Sequence, residues 1–261
     1  MESETAALLR NLARLLDAPD DVRQALAELA KRVSVKPQNG MTRKNRARLR
    51  VLQDQTNQLR LLSLPEQIFK RPRGKSKPYD HALAREDALA IAILLVCPVR
   101  VKNLAGIHLE HHLHRPGDGH IFFVLEDAET KNQRPIEFEL PRDVVQMLDR
   151  HLSTRCPQMC DPGTPWLFPR RDGRGHIVPN ALSSRLSKRI RKETGLEMNA
   201  HLFRHFAVMN WLDANPGGYE VARRLLGHSE VSHTINMYSG LEARSATKAF
   251  ADLIEQKKGL R

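Results

Sequence analysis

The sequence predicts a mainly α-helical protein with one small three-stranded antiparallel β-sheet, an α+β chain that begins with a helical region. Apolar residues recur at helical spacing over most of the 261 residues. Alternation of apolar and polar residues is confined to a stretch in the middle of the chain, which limits the sheet to a few short strands. A content of 41% hydrophobic and 28% charged residues is typical of a chain with a buried core.

The first part of the chain is predicted to be helical and basic. Residues 4–33 form two predicted helices separated by the turn Asp17-Ala18-Pro19-Asp20. Thr42 can cap a third helix, on which the apolar residues share a face and the arginines lie largely off it. The segment RPRGKSKP (71–78) has two prolines and a glycine among basic residues, which is typical of a linker. We therefore predict a domain of residues 1–75 and a second domain of residues 76–261.

The second part begins with a strongly apolar helix at about residues 82–96. The helix is predicted to end at Cys97-Pro98. Three alternating segments then predict the antiparallel strands. They are Ile107–Leu113, Ile121–Leu125 and Ile136–Leu140. Everything after Pro141 is predicted to be helical, with loops at glycine- and proline-containing turns.

The positive charge is concentrated in residues 31–80, which include the predicted linker. The whole chain has a net charge of +12 and a pI near 10.0, and residues 31–80 hold fourteen basic and three acidic side chains. Such a balance favours a polyanionic partner, double-stranded DNA first. A solvated helix face followed by a basic linker is the alternative. The side chains predicted to contact DNA are Arg43, Lys44, Arg46, Arg50, Arg71, Arg73 and Lys75.

Several classes of protein are disfavoured by composition. No apolar run approaches the roughly 18 residues of a membrane span, and the N-terminus MESETAALLR lacks the pattern of a secretion signal. Three cysteines are too few, and odd in number, for a disulfide scaffold. We therefore predict a soluble, cytoplasmic protein without a membrane partner.

Cofactor and metal sites are also disfavoured. The sequence contains no GxxxxGK[ST], GxGxxG or GxSxG motif. Cys156 and Cys160 are spaced like metal ligands, and His111, His112 and His114 lie close together. No second cysteine pair follows, and adjacent strand residues point to opposite faces, so we predict neither a metal nor a cofactor.

A set of polar residues that could take part in a reaction lies in the last third of the chain. His201 and Arg204 share one face of a predicted helix, although an isolated pair with this spacing more often has a structural role. His205 is interpreted as a core histidine. His228 follows a helix that ends at a glycine, and Tyr238 comes ten positions later, either as an inert surface tyrosine or as a nucleophile.

In this order the residues resemble those of the tyrosine recombinases, or phage-type integrases, over about residues 80–250. The residues that match the family's pattern are Arg100, Lys131, His201, Arg204, His228 and Tyr238. Asn103 stands where the family often has an acid. The region upstream resembles the end of the family's core-binding domain, and it is short for a complete one.

The resemblance implies a site-specific recombinase of a mobile genetic element, bacterial or phage, that associates with the nucleoid. Tyr238 would form a covalent 3′-phosphotyrosyl intermediate, and rejoining would need neither ATP nor metal. Arg100, Arg204 and His228 would bind the non-bridging oxygens, His201 would accept the phenol proton, and Lys131 would protonate the leaving 5′-oxygen. Lys102 is the alternative acid.

The resemblance also implies a homo-oligomer, a tetramer, on DNA that carries specific recombination sites. An apolar stripe at residues 246–254 would dock onto a neighbouring subunit, or alternatively pack on its own domain. Two other functions stay open at this point. One is a type IB topoisomerase-like enzyme, which works as a monomer, and the other is a non-catalytic DNA-binding protein on the same fold.

Overall fold

The computed structural model describes residues 2–33, 40–130, 132–241 and 243–259. It divides into two compact units, with the division between residues 39 and 40. The first unit consists of two helices that pack against each other, α1 (Glu2–Leu15) and α2 (Asp20–Arg32).

The second unit contains the remaining elements and one extended hydrophobic core. Its helices, in chain order, are α3 (Arg43–Val51), α4 (Gln55–Lys70), α5 (Pro78–Val96), α6 (Val101–Ala105), α7 (Arg142–Ser153), α8 (Pro179–Thr194), α9 (Ala200–Ala214), α10 (Tyr219–Leu226), α11 (Val231–Tyr238) and α12 (Ala243–Gly259). None of the described helices is long and apolar enough to cross a bilayer.

The strands β1 (Leu113–His114), β2 (Phe122–Leu125) and β3 (Ile136–Glu139) form one antiparallel sheet in chain order. The mainly helical fold with a small meander is therefore confirmed. The first predicted strand is mostly a turn, however, because His112 bonds back to His108 through both its backbone and its ring. Only its last residue and His114 pair with β2.

The predicted boundary near residue 75 differs from the division seen in the structure. Helices α3 and α4 lie before that boundary, yet they pack into the core of the second unit, α3 against α9 and α4 against α5 and α8. Leu49 and Leu61 are almost completely buried there. The segment 71–77 therefore joins two helices that pack together, and it does not separate two independent units.

Helix α5 is the centre of this unit. Residues 85–94 are buried without interruption, and α4, α7, α8 and α9 all pack against the helix. Its carboxylates Glu86 and Asp87 are buried and pair with two arginines of α8. Arg185 bonds Glu86 at 2.7 Å and Asp87 at 2.6 Å, and Arg189 bonds Asp87 at 3.0 Å. These ion pairs fix the helix whose C-terminal end leads to Arg100.

Candidate active site

Arg100 lies where the central helix gives way to α6. The chain turns at Cys97-Pro98-Val99, three buried residues, and Arg100 then begins α6 as its N-cap. The guanidinium is half-buried, and this burial lowers the pKa of Arg100. Because its ordinary value is so high, Arg100 remains a cation at neutral pH.

Arg204 connects three separate segments from the middle of α9. The side chain is only 6% exposed. Its guanidinium donates to the carbonyl of Pro98 at 2.6 Å and to the carbonyl of Leu226 at 2.8 Å. These carbonyls lie two residues before Arg100 and two residues before His228. One buried side chain therefore sets the distance between both neighbouring site residues.

No carboxylate among the residues that the structure describes forms an ion pair with Arg100 or Arg204. Among the described residues, Arg204 bonds carbonyls and forms no ion pair with an acid. Burial lowers the pKa of Arg204 to about 10, and the nearby charge of Arg100 contributes to the shift. Two adjacent guanidiniums without a counter-ion form a site suited to an anion with oxygens to share, such as a phosphodiester.

His201 and His205 lie one turn apart on α9, which begins where the Asn199 side chain accepts the backbone N–H of Leu202. Their rings meet edge to face, with centroids 4.8 Å apart. His201 keeps a solvent-exposed edge, yet the surrounding protein, and then the charges of Arg204 and Arg100, lower its pKa. His201 is therefore a neutral imidazole at the border of the cationic site.

His228 follows α10, which ends at Gly227 in the left-handed conformation with a φ of 62°. Its Nδ1 shares a hydrogen bond of 2.9 Å with the hydroxyl of the buried Thr234. Burial, followed by the charge of Arg204, lowers the pKa of His228 to about 4. If the Thr234 hydroxyl donates this bond, Nε2–H is free to donate to an anion.

Tyr238 ends α11 and is 2% exposed. Its hydroxyl lies 2.9 Å from Nδ1 of His205. Burial raises the pKa of the phenol, although the charge of Arg204 opposes the shift. In this conformation the phenol is protonated and held away from solvent, so its oxygen must become exposed before it can attack a substrate.

His205, which the sequence predicts to be a core histidine, also contacts the candidate site. It is buried as expected, but its Nδ1 also contacts the candidate nucleophile. Burial and the charges of its neighbours lower its pKa to about 4. The signal in the sequence was its position four residues after His201, which places both rings on one helix face.

Lys131 lies outside the described residues, but both of its neighbours are placed. The Thr130 hydroxyl donates to the carbonyl of Arg134 at 2.8 Å and accepts its N–H at 3.0 Å, which closes the β2–β3 turn. The Asn132 side chain donates to the carbonyl of Gly227, the residue before His228. The turn that contains Lys131 is therefore attached to the site.

A second set of contacts supports the base of this turn. Asn103, three residues after Arg100, donates to the backbone carbonyl of Glu129 at 3.2 Å. Nδ1 of His112 accepts the N–H of His108, so its ring proton lies on Nε2 and is donated to the Glu129 carboxylate at 2.7 Å. Asn103 thus links the helix that starts at Arg100 to the hairpin.

All the side chains predicted to contact DNA are exposed: Arg43, Lys44, Arg46, Arg50, Arg71, Arg73 and Lys75. Arg71 also forms an ion pair of 2.9 Å with Glu193 on α8. Helix α3 packs against α9, the helix that contains His201 and Arg204. The exposed basic side chains of α3 therefore lie on an element that supports the candidate site.

Comparison with known proteins agrees with the geometry. The model of the Phage integrase family matches residues 66–244. The structure is similar to that of XerH site-specific recombinase bound to difH substrate in a pre-cleavage complex, with 15% identity and a TM-score of 0.52 over 68% of this chain and 48% of that chain. The chain thus spans about half the length of that XerH chain.

Two further solved structures share the fold. XerH in a post-cleavage complex with palindromic difH substrate has 15% identity and a TM-score of 0.55, over 73% of this chain and 50% of that chain. XerA recombinase has 14% identity and a TM-score of 0.52, over 94% of this chain and 80% of that chain. No curated protein sequence shows a significant match.

Proposed function

The chain belongs to the phage integrase family, and we propose that it is a site-specific DNA recombinase that cleaves and rejoins DNA through Tyr238. The observation that carries the proposal is the meeting of Arg100 and Arg204, without a carboxylate partner among the described residues, beside two histidines and a tyrosine. A phosphodiester is the anion that would use all of these groups.

The cleavage step follows from these groups. Arg100, Arg204 and His228 bind the non-bridging oxygens and stabilise the charge that develops on them. The phenol oxygen of Tyr238 attacks phosphorus, its proton passes to His201, and the bond to the 5′-oxygen breaks as Lys131 supplies a proton to that oxygen. The product is a 3′-phosphotyrosyl bond and a free 5′-hydroxyl, and the reverse step rejoins a strand.

The buried phenol adds a requirement to this mechanism. Tyr238 must leave its hydrogen bond with His205 before its oxygen can reach phosphorus. We propose that binding of DNA provides the energy for this movement of α11. His205 then holds the nucleophile in the resting protein, while His201, which keeps an exposed edge, serves as the proton acceptor.

The nucleophile is tested with a nicked suicide substrate that carries an attachment site of the element encoding this protein. The unmodified protein should form a covalent adduct on a denaturing gel, whereas Tyr238→Phe should bind the same DNA and form none. An adduct that persists in Tyr238→Phe contradicts the assignment. Cleavage should continue in excess EDTA, and loss of cleavage that magnesium or zinc restores contradicts the metal-free mechanism.

The acid is tested with a bridging 5′-phosphorothiolate, whose sulfur leaves with little need of a proton. This substrate should rescue Lys131→Ala and should not rescue a variant that lacks Arg100 or Arg204. Lys131→Arg should stay impaired with the ordinary substrate, because a guanidinium gives up its proton poorly. Absence of rescue, or equal rescue of the arginine variants, excludes Lys131 and makes Lys102 the next candidate.

We further propose that the protein acts on double-stranded DNA with specific recombination sites as a homotetramer. Phe250 and Leu253 of α12 are exposed, which supports docking of this helix onto a neighbouring subunit. Sedimentation with DNA separates this function from that of a monomeric type IB topoisomerase. A protein that binds DNA and yields no adduct on the suicide substrate is instead a non-catalytic member of the family.

A further inference from the structure

A cationic pocket of about 300 Å³ lies away from the catalytic residues, at the other end of the central helix. It is formed by the segment before α5, the first turns of α5, and the residues that follow α7. Its basic lining side chains are Arg73, His81, Arg85, His151 and Arg155. Lining of this kind, without an acidic side chain, is suited to an anion.

Two of these arginines, the buried Arg85 and the half-buried Arg155, have no carboxylate partner in the part of the chain that the structure describes. Arg85 is 8% exposed, stacks on Phe69, and has only the carbonyl of Arg150, at 3.4 Å, as a hydrogen-bond acceptor. Arg155 donates to the carbonyls of Trp166 and Leu167 at 2.7 and 3.0 Å. The Nε atoms of both arginines are buried and have no acceptor.

His151, a third lining residue of the pocket, also has a buried polar atom without a partner. It is 4% exposed, and its Nε2 is buried without a hydrogen-bond partner. Burial lowers its pKa to about 4, and the charges of Arg155 and Arg85 contribute to the shift. Buried polar atoms normally have partners, and buried charges are normally paired, so these three atoms show that the wall of the cavity is short of acceptors. They are themselves closed to the cavity, and a ligand would bond the remaining guanidinium N–H groups.

The nearest buried acid does not supply the missing charge. Glu86 follows Arg85 in the chain, but its carboxylate is bound by Arg171 at 2.8 Å and by Arg185 at 2.7 Å. Glu86 therefore already faces two guanidiniums of its own. It forms no ion pair with Arg85 or Arg155, so both guanidiniums can bind a ligand from outside the chain.

We propose that this pocket binds a phosphate-type oxyanion, held by Arg85 and Arg155 from inside and by the exposed Arg73 at the rim. The volume is at the lower end of the range for small-ligand sites, enough for a phosphoryl group and an attached sugar-sized portion. The eleven helical steps from Arg85 to Val96 make about 16 Å of helix, so the site is separate from the one at Arg100.

The proposal does not depend on the recombinase chemistry. The same phosphoryl chemistry has two possible sources, a backbone phosphate of bound DNA or a free phosphorylated molecule. Inorganic phosphate is the probe that reports on the pocket itself, and duplex DNA is the probe that separates the sources.

The first experiment is calorimetric titration of the full chain with inorganic phosphate at constant ionic strength. We expect saturable binding that Arg85→Met weakens at least tenfold and Arg73→Ala weakens severalfold. Arg142→Ala is the matched control, since this exposed arginine lies at the opposite end of α7 and should leave the affinity unchanged. If Arg85→Met fails to fold, the exposed Arg73→Ala decides alone.

The proposal is overturned if the unmodified chain shows no saturable binding, or if Arg73→Ala and Arg85→Met bind phosphate like the unmodified chain. It is also overturned if Arg100→Ala abolishes the binding, because the phosphate then occupies the catalytic site. The salt dependence of the affinity for nonspecific duplex DNA shows whether the phosphoryl group comes from bound DNA or from a free molecule. A slope reduced by about one unit in Arg73→Ala indicates a DNA phosphate, and an unchanged slope indicates a free ligand.

Discussion

Replacing Gly227 by alanine should disturb the contact between the β2–β3 hairpin and the segment that leads to His228. Gly227 adopts a φ of 62°, and a Cβ at this position would lie 2.4 Å from Cδ1 and 3.3 Å from Cγ1 of Ile136, the first residue of β3. The substitution therefore adds backbone strain and also pushes against the strand that follows Lys131.

The cost of the backbone strain and the cost of displacing Ile136 can be worked out separately. A left-handed conformation costs a residue with a Cβ about 1–2 kcal/mol, and the smaller entropy of the unfolded chain returns about 0.4–1 kcal/mol. The net backbone cost is about 1 kcal/mol. Moving the tip of Ile136 out of its rotamer costs about a further 0.5–1.5 kcal/mol.

Gly195 provides the matched control. It also ends a helix in the left-handed conformation, with a φ of 76°, and a Cβ there would meet no atom within 4 Å. Because each kcal/mol corresponds to about 2–4 °C in a domain of this size, Gly195→Ala should lower Tm by about 2–4 °C and Gly227→Ala by about 3–10 °C. Thermal unfolding followed by circular dichroism measures both.

A double variant identifies the source of the difference. Ile136→Val removes the Cδ1 atom, so adding Gly227→Ala in that background should cost no more than Gly195→Ala costs in the unmodified chain. The reasoning is refuted if Gly227→Ala and Gly195→Ala lower Tm equally, or if Ile136→Val leaves the excess cost of Gly227→Ala unchanged.

Three further predictions concern charge. Changing the exposed α3 arginines Arg43, Arg46 and Arg50 to alanine should flatten the slope of log affinity for DNA against log salt by up to about 2–3 units, and an unchanged slope means that α3 does not face DNA. His205 has a pKa of about 4 in the folded chain, below its unfolded value, so the unfolded chain binds more protons between about pH 6.5 and 4. The free energy of unfolding in urea should therefore fall as the pH is lowered through this range. In His205→Asn this free energy should fall less steeply with pH, and an equal pH dependence in the two proteins would show that His205 is not its cause. Glu129→Gln should slow cleavage about ten- to a hundredfold at unchanged DNA affinity, because its carboxylate holds the base of the hairpin, and a normal cleavage rate would show that the hairpin does not need this contact.

The order of elements and the residues of the candidate site could be predicted from the sequence, because both depend on local pattern and on the order of motifs. The buried run in α5, the Thr42 cap and the two helices of residues 4–33 follow from spacing and side-chain type. Arg100, His201 and Arg204 could be selected because the order of motifs in the chain resembles that of a known family.

Long-range contacts could not be predicted in the same way. The basic segment at residues 71–77 has the composition of a linker, but α4 before it and α5 after it bury apolar surface against each other. His205 looks like any core histidine until α11 brings the Tyr238 hydroxyl to its Nδ1. The charge of Arg71 is neutralised by Glu193, which lies 122 residues later in the chain.

The two hydrogen bonds from Arg204 to backbone carbonyls affect which residues of the candidate site can be replaced during evolution. A guanidinium has five N–H donors, and those given to Pro98 and Leu226 leave three for a substrate. The same residue therefore maintains the fold whether or not any reaction occurs. A relative that binds DNA without cleaving it is free to replace Tyr238 or His201, but we expect it to retain Arg204.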